Sequence, residues 1–298
     1  MIPTPLEEAH LLGRRLLLKR EDTHELGSFK WRGALPTLEE YKRKGAETVI
    51  TASTGNHGAA TAWAAKRLGM SAIVFASEGA SRTKVEQIER LGAEVRLVGA
   101  DFDEAKAEAE RFATKTGVLF VDGMERAQYA GYSAIGEEIL DQAEATPVAV
   151  VVPVGNGALL GGVGIGICRR APEVERIGVV SKSAPVMALS WEAGQPVESD
   201  ESGTFADGLA VRVAIPDAVE VLGEFASRML QVSEREIARA VDAYAEAGIR
   251  AEGAAAAALA AVPQLDELGD PLVLVVTGRN IDEELFRRAR EEPDSFPD

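Results

Sequence analysis

Runs of aliphatic and β-branched residues recur along the chain. Each closes on a small or polar residue, and most lead into a segment whose apolar positions return every three or four residues. The runs are LLLKR (16–20), TVITAS (48–53), SAIVFAS (71–77), EVRLVG (94–99), AVVVPV (149–154), RIGVVS (176–181) and LVLVVTG (272–278). Apolar strands with few polar interruptions are buried on both faces, as happens in parallel sheets packed under helices. Segments 29–44, 56–69, 81–91, 103–116, 130–145, 159–170, 234–248 and 252–261 have helical period and are rich in Ala and Glu. The alternation predicts an α/β fold of mostly parallel sheets covered by helices. Residues 48–99 by themselves read strand, helix, strand, helix, strand. That is enough for a small doubly wound lobe, with the remaining strands forming a larger one. The polar tail REEPDSFPD, with two prolines, predicts a frayed end.

Composition narrows the function classes. At 298 residues, 46% hydrophobic and 27% charged, the chain suits two lobes or one large domain and has no apolar stretch long enough to cross a bilayer. Its N-terminus, MIPTPLEEAHLLGRR, lacks the basic-then-apolar order of a signal peptide, so the expectation is a cytoplasmic enzyme. A formal charge of −16 argues against general affinity for nucleic acid or anionic membranes. An anionic substrate would therefore need a local nest of donors. Cys168, the single cysteine, excludes an intrachain disulfide and a thiolate metal cluster and, in its apolar stretch, reads as a buried helix residue rather than a nucleophile.

Four places break the pattern. In ELGSFKWRGA (25–34), Lys30 stands between Phe29 and Trp31 in what reads as the first turn of a helix. Burial and the positive helix end both lower a lysine's pKa, and a neutral amine attacks carbonyls; an amphipathic surface lysine reads the same way locally. In TASTGNHGAATAWAA, a strand turns through Ser53, Thr54, Gly55, Asn56, His57 and Gly58 into an Ala-rich helix. This makes either an anion nest suited to a carboxylate or a plain helix cap. In VVVPVGNGALLGG, Gly155, Asn156, Gly157 and Ala158 join a buried strand to a helix beginning near Leu159. The spacing is not that of a P-loop, and a phosphate cradle and a packing turn both fit. Finally, Thr277 ends an apolar strand, the position where open α/β sheets place ligands.

Taken in order with TPL, LLLKRED, FADGLAV, AEGAAAAALA and TGRNID, these motifs resemble the fold-type II enzymes dependent on pyridoxal phosphate, in particular the serine/threonine dehydratase and serine racemase branch. The resemblance covers nearly the whole chain. It implies a two-lobed architecture like that of the tryptophan synthase β chain. The large cofactor-binding domain would comprise 1–45 and 127–298, and a small domain, 46–126, would close over substrate. It also implies a homodimer.

In residue roles, the resemblance makes Lys30 the Schiff-base lysine and packs Phe29 on the cofactor. Asn56 would bond the ring hydroxyl, the amides of Gly155, Asn156, Gly157, Ala158 and Leu159 would hold the phosphate, and Thr277 would bond the pyridine nitrogen. Ser53, Thr54, Asn56 and His57 would receive the substrate carboxylate, with Thr54 a second catalytic candidate beside Lys30 and Glu252 near the amino-acid pocket. The implied reaction is β-elimination from L-threonine, L-serine or a related β-hydroxy amino acid, giving a 2-oxo acid and ammonia. A threonine beside the ring nitrogen makes a weaker electron sink than a carboxylate would, which suits elimination better than transamination.

Departures from the resembled pattern keep other reactions in view. The racemase has a second serine where Thr54 stands. The branch's divalent-metal site begins with a glutamate where this chain has Ser181 followed by Lys182, so no metal is expected. The GNGA and STGN turns lean toward threonine synthases, whereas SFKWRGA and FADGLAV lean toward dehydratases. The chain ends soon after TGRNID, and a C-terminal regulatory domain is not expected. Threonine-synthase-like or other β-replacement, racemisation, and cofactor binding without turnover are the alternatives.

Overall fold

The computed structural model describes residues 2–199 and 202–298. Its strands are β1 (Leu6–Leu11), β2 (Arg14–Arg20), β3 (Thr48–Ala52), β4 (Ser71–Ala76), β5 (Glu94–Leu97), β6 (Leu119–Phe120), β7 (Ala149–Pro153), β8 (Glu175–Ser181), β9 (Arg228–Val232) and β10 (Leu272–Val276). Its α-helices are α1 (Trp31–Arg43), α2 (Asn56–Leu68), α3 (Arg82–Arg90), α4 (Phe102–Thr116), α5 (Arg126–Gln142), α6 (Ala158–Cys168), α7 (Val186–Ala193), α8 (Pro216–Phe225), α9 (Glu234–Glu246), α10 (Gly253–Ala260) and α11 (Glu283–Glu291).

Contacts divide the chain into two compact units, Met1–Ser28 with Tyr132–Asp298, and Phe29–Gly131. The first unit is built on a sheet of order β1-β2-β10-β7-β8-β9. Its β1–β2 pair is antiparallel and every other pair is parallel. All five residues of β7 and of β10 are buried, as the central strands of a sheet covered on both faces must be. Helices α9 and α10 pack together and, with the sheet, enclose the main apolar core. Among the charged groups deep in this unit, Lys19, fully buried, donates to Glu138 (2.6 Å), to the Thr4 carbonyl (2.7 Å) and to Gln142 (2.8 Å). These bonds supply what an ammonium loses on leaving water.

The second unit has an all-parallel sheet of order β5-β4-β3-β6. Its core gathers Ile50, Ala52 and Phe75 from the strands with Ala109 and Ala113 from α4. Segments 29–45 and 127–131, grouped with the large domain in the sequence expectation, fall by their contacts in this unit, where α1 packs along α2. Helix α1 also begins at Trp31 rather than 29, since Phe29 and Lys30 form a turn ahead of it. Strands β1, β6 and β9 and helices α7, α8 and α11 are elements that the periodicity did not predict, and Cys168, expected to be buried, is half-exposed as the last residue of α6. β1 is an exposed edge strand, and β9 is only half-buried along most of its length, so neither shows a continuous apolar run. No helix among the described residues is long and apolar enough to cross a membrane.

Candidate functional site

The candidate residues fall into two groups, one in each unit. In the first unit, β7 ends at Pro153 and the chain turns through Gly155, Asn156 and Gly157 into α6. Gly157 is the N-cap at φ +92°, a left-handed conformation that favours glycine, and no side chain caps the helix from that position. The Asn156 Oδ1 accepts from the Ala158 amide at 3.2 Å. At Gly155 the backbone is confined from outside: a Cβ there would lie 2.2 Å from the Gly208 carbonyl oxygen. Amides in the first turn of a helix have no intrahelical acceptor, so apart from the Ala158 amide, which Asn156 engages, the turn offers backbone donors with little side-chain bulk, a geometry that suits a phosphate.

Thr277 follows β10 and is 2% exposed, and its Oγ1 has no hydrogen-bond partner within the protein. Burying a hydroxyl without a partner costs about 1–3 kcal/mol, so such a group calls for an explanation, and a ligand acceptor is one. The backbone beside it is tightly held. Ser28 forms an isolated antiparallel bridge with Gly278, the Arg279 amide donates to the Gly27 carbonyl (2.9 Å), and the Asn280 side-chain amide donates to the Leu26 carbonyl (2.8 Å). The Ser28 hydroxyl is likewise buried without a partner within the protein.

Glu252 occupies the N-cap position of α10, yet its side chain does not cap that helix. Its carboxylate accepts from the Asn280 amide (3.2 Å), and it lies where any Cβ on Gly278 would sit, with Oε1 at 2.7 Å from that point. Glu252 therefore ties α10 to the segment after β10. Asn280, which sequence reasoning had singled out only as part of TGRNID, completes that tie.

In the second unit, Lys30 is the N-cap residue of α1 and is half-buried. Its Nζ lies 5.1 Å from the centre of the Phe29 ring, a cation–π contact. Trp31 is buried and packs edge-on against Trp63 with ring centres 6.4 Å apart, and the fully buried Arg32 stacks on it at 4.8 Å. The two rings flanking Lys30 thus have different tasks: Phe29 touches the amine, and Trp31 anchors the helix.

The turn after β3 brings Ser53, Thr54, Asn56 and His57 to one helix start. The Ser53 hydroxyl accepts from the Gly55 amide at 3.1 Å, and Asn56 is the first residue of α2. Gly58 is required by space: a Cβ would lie 1.9 Å from the Ser53 carbonyl oxygen. The His57 Nε2 donates to the Val121 carbonyl at 3.1 Å, and the Thr51 hydroxyl donates to the same oxygen at 2.8 Å. Burial first, and the Lys30 charge second, push the His57 pKa down to about 4. The imidazole is therefore neutral near pH 7, and its contribution to an anion nest comes from its backbone amide rather than from a positive ring.

Comparison with known proteins gives these arrangements a context. The L-threonine ammonia-lyase of Thermotoga maritima is 37% identical over 287 residues, covering 94% of this chain and 71% of that enzyme. The biosynthetic L-threonine dehydratase of Pasteurella multocida is 34% identical over 302 residues, covering 97% of this chain and 58% of that enzyme, so the chain spans little more than half of that relative. Among solved structures, the processed form of threonine deaminase isoform 2 from Solanum lycopersicum matches with a TM-score of 0.91 at 30% identity, covering 97% of this chain and 88% of that one. The threonine deaminase of T.th. matches with a TM-score of 0.86 at 30% identity, covering 94% of this chain and 93% of that one. The family model described as pyridoxal-phosphate dependent enzyme matches residues 1–278. On that match, and on the two-unit α/β architecture of its solved relatives, the chain belongs to the pyridoxal-phosphate dependent enzymes of fold type II, in the threonine/serine dehydratase-like branch.

Proposed function

We propose that this chain catalyses β-elimination from L-threonine, L-serine or a related β-hydroxy amino acid, with pyridoxal phosphate as cofactor, releasing a 2-oxo acid and ammonia. The observation that carries the reading is the Thr277 hydroxyl, buried and without a protein partner at the end of an apolar strand. A hydroxyl in that place suits a pyridine nitrogen, and the glycine turn at 155–157 suits the phosphate, so the residues present fit the cofactor. Relatives that bear the names threonine ammonia-lyase and threonine dehydratase support elimination as the reaction.

The cofactor, when bound, supplies a sink for the electron pair left when a proton departs from the substrate α-carbon. By offering a hydroxyl rather than a carboxylate, Thr277 keeps that sink weak, which favours prompt loss of the β-substituent. Lys30 Nζ would hold the cofactor, and the same nitrogen would serve as the general base toward the substrate α-proton. Backbone amides at 55–57, with the Ser53 and Thr54 hydroxyls, orient the substrate carboxylate, and Asn56 fixes the cofactor ring. Overall one water is lost from the β-carbon and one is taken up at the α-carbon, so the products would be one 2-oxo acid and one ammonia.

The test is a panel of amino acids given to purified protein reconstituted with pyridoxal phosphate, with Lys30→Ala beside it. The expected result is 2-oxo acid from L-threonine or L-serine, with kcat reduced about 10²–10⁴-fold in Lys30→Ala. A cofactor-loaded protein inert to every amino acid, or equal turnover by Lys30→Ala, overturns the proposal.

A further inference from the structure

Glu234 is a carboxylate that sequence reasoning passed over, and it is 2% exposed. It is the first residue of α9, whose start is fixed by a capping box: the Ser233 hydroxyl accepts from the Glu236 amide, and the Glu236 carboxylate accepts from the Ser233 amide. A buried carboxylate is costly unless hydrogen bonds replace its water, and the positive end of a helix also favours it. Here both oxygens are used. Oε1 accepts from the hydroxyl of Ser181, the last residue of β8, and Oε2 accepts from the Thr204 hydroxyl (3.1 Å) and the Phe205 amide (2.9 Å). The Thr204 hydroxyl in turn accepts from the Ala206 amide at 3.0 Å.

These bonds fasten the start of the FADGLA segment to the sheet, and the segment's far end meets the glycine turn. The Gly208 carbonyl stands 2.2 Å from where a Cβ on Gly155 would be. On its other side the segment is backed by α10, where a Cβ on Gly253 would lie 3.1 Å from the Ala206 Cα and a Cβ on Gly208 would lie 2.9 Å from the Ala254 Cβ. Glycine has the widest backbone freedom of any residue, so the direction of the Gly155 amide depends on what surrounds it. The Gly208 carbonyl is one such wall, and Glu234 holds that wall in place.

We propose that Glu234 is a positioning residue for the phosphate-accepting turn: through Thr204 and Phe205 it sets the 204–208 segment against Gly155 and so aims the turn's amides. This rests on the cofactor reading above for its ligand, while its structural half stands without any ligand. Its role is geometric, so Glu234→Gln keeps it. The Gln amide oxygen accepts from Thr204 and Phe205, and its nitrogen can donate to the Ser181 hydroxyl. Glu234→Ala removes it.

The experiment has two arms on the full chain. In the first, apo-protein is titrated with pyridoxal phosphate and with pyridoxal, which lacks the phosphate. In Glu234→Ala, affinity for pyridoxal phosphate falls about tenfold, corresponding to ~1.4 kcal/mol, while affinity for pyridoxal is unchanged; Glu234→Gln restores the wild-type ratio. Equal loss for both compounds, or loss for neither, overturns the proposal. In the second arm, amide hydrogen exchange of the apo-protein is followed by mass spectrometry. Glu234→Ala lowers protection in 204–209 and in 155–158 together and leaves 272–277 as in the wild type; loss confined to 204–209 overturns the proposal. A wild-type protein that binds neither compound sinks the cofactor reading, and the exchange arm then decides the positioning claim alone. Should Glu234→Ala not fold, Thr204→Val replaces it, with the same outcomes expected in both arms.

Discussion

The chain makes two strand-to-helix turns from nearly the same letters, STGNHG after β3 and VGNGA after β7, and they solve different problems. After β3 the turn is rich in side-chain oxygen. Ser53 occupies the Gly55 amide, Gly55 is an extended N-cap, and His57 is locked onto the Val121 carbonyl. After β7 the turn is mostly backbone: Asn156 is its one polar side chain and folds onto the Ala158 amide, Gly157 is left-handed and Gly155 is pressed by another backbone carbonyl. The first geometry suits a small carboxylate received by hydroxyls and amides together, and the second suits a phosphate received by amides alone. Helices α4, α9 and α11, which carry no candidate residue on their first turns, begin instead with Asp101, Ser233 and Asp282 capping them by their own side chains. At α2 and α6, by contrast, the N-cap is glycine and supplies no side-chain cap.

The sharpest way to break this contrast is to add one methyl group to each turn. Gly155→Ala drives a Cβ into the Gly208 carbonyl, and the affinity for pyridoxal phosphate is expected to fall by at least about a hundredfold, or ~2.7 kcal/mol, in an absorbance titration. Gly58→Ala drives a Cβ into the Ser53 carbonyl, inside the second unit's own backbone, and is expected to cost about 1–3 kcal/mol of stability in denaturant unfolding. If the two variants had the same effects on binding and on stability, the division of labour between the turns would be wrong.

A smaller effect, with opposite signs in the two states, is expected at Thr277. Thr277→Val removes a buried hydroxyl that has no protein partner, so the apo-protein should be stabilised by about 1 kcal/mol, while the rise in Tm on adding pyridoxal phosphate should shrink. An apo-protein destabilised by this substitution would mean that the hydroxyl already has its partner without the cofactor.

The smallest effect concerns pH. His57 titrates in the folded chain at about 4, below its ordinary value of 6.5, so the unfolded chain takes up a proton first as pH falls. Its contribution to stability is complete above about pH 6.5 and is lost progressively down to about pH 4. Thermal unfolding of His57→Gln, which keeps a donor for the Val121 carbonyl, should therefore decline less between pH 7 and 5 than that of the wild type. Parallel declines would show that the imidazole is not held neutral.

Local pattern was enough for the alternation of strands and helices and for the buried runs of β3, β7 and β10; it singled out Lys30, Asn56 and Thr277 as candidates, and the family resemblance supplied their expected roles. Periodicity and turn residues act between neighbours, so a linear reading recovers them. It did not recover β1, β6 and β9: β6 has only two residues, and β1 and β9 are half-wet edge strands with no continuous apolar run. Nor did it recover the contacts that hold the candidate residues in place. Glu234 meets a serine 53 positions earlier, Glu252 reaches Asn280 rather than capping its own helix, and Gly155 is confined by Gly208. Those partners are chosen by the packing of strands and helices far apart in the chain, where no spacing rule links one residue to the other. The sequence by itself determined which elements form and which groups are candidates, and the tertiary structure decided which backbone stands against each of them.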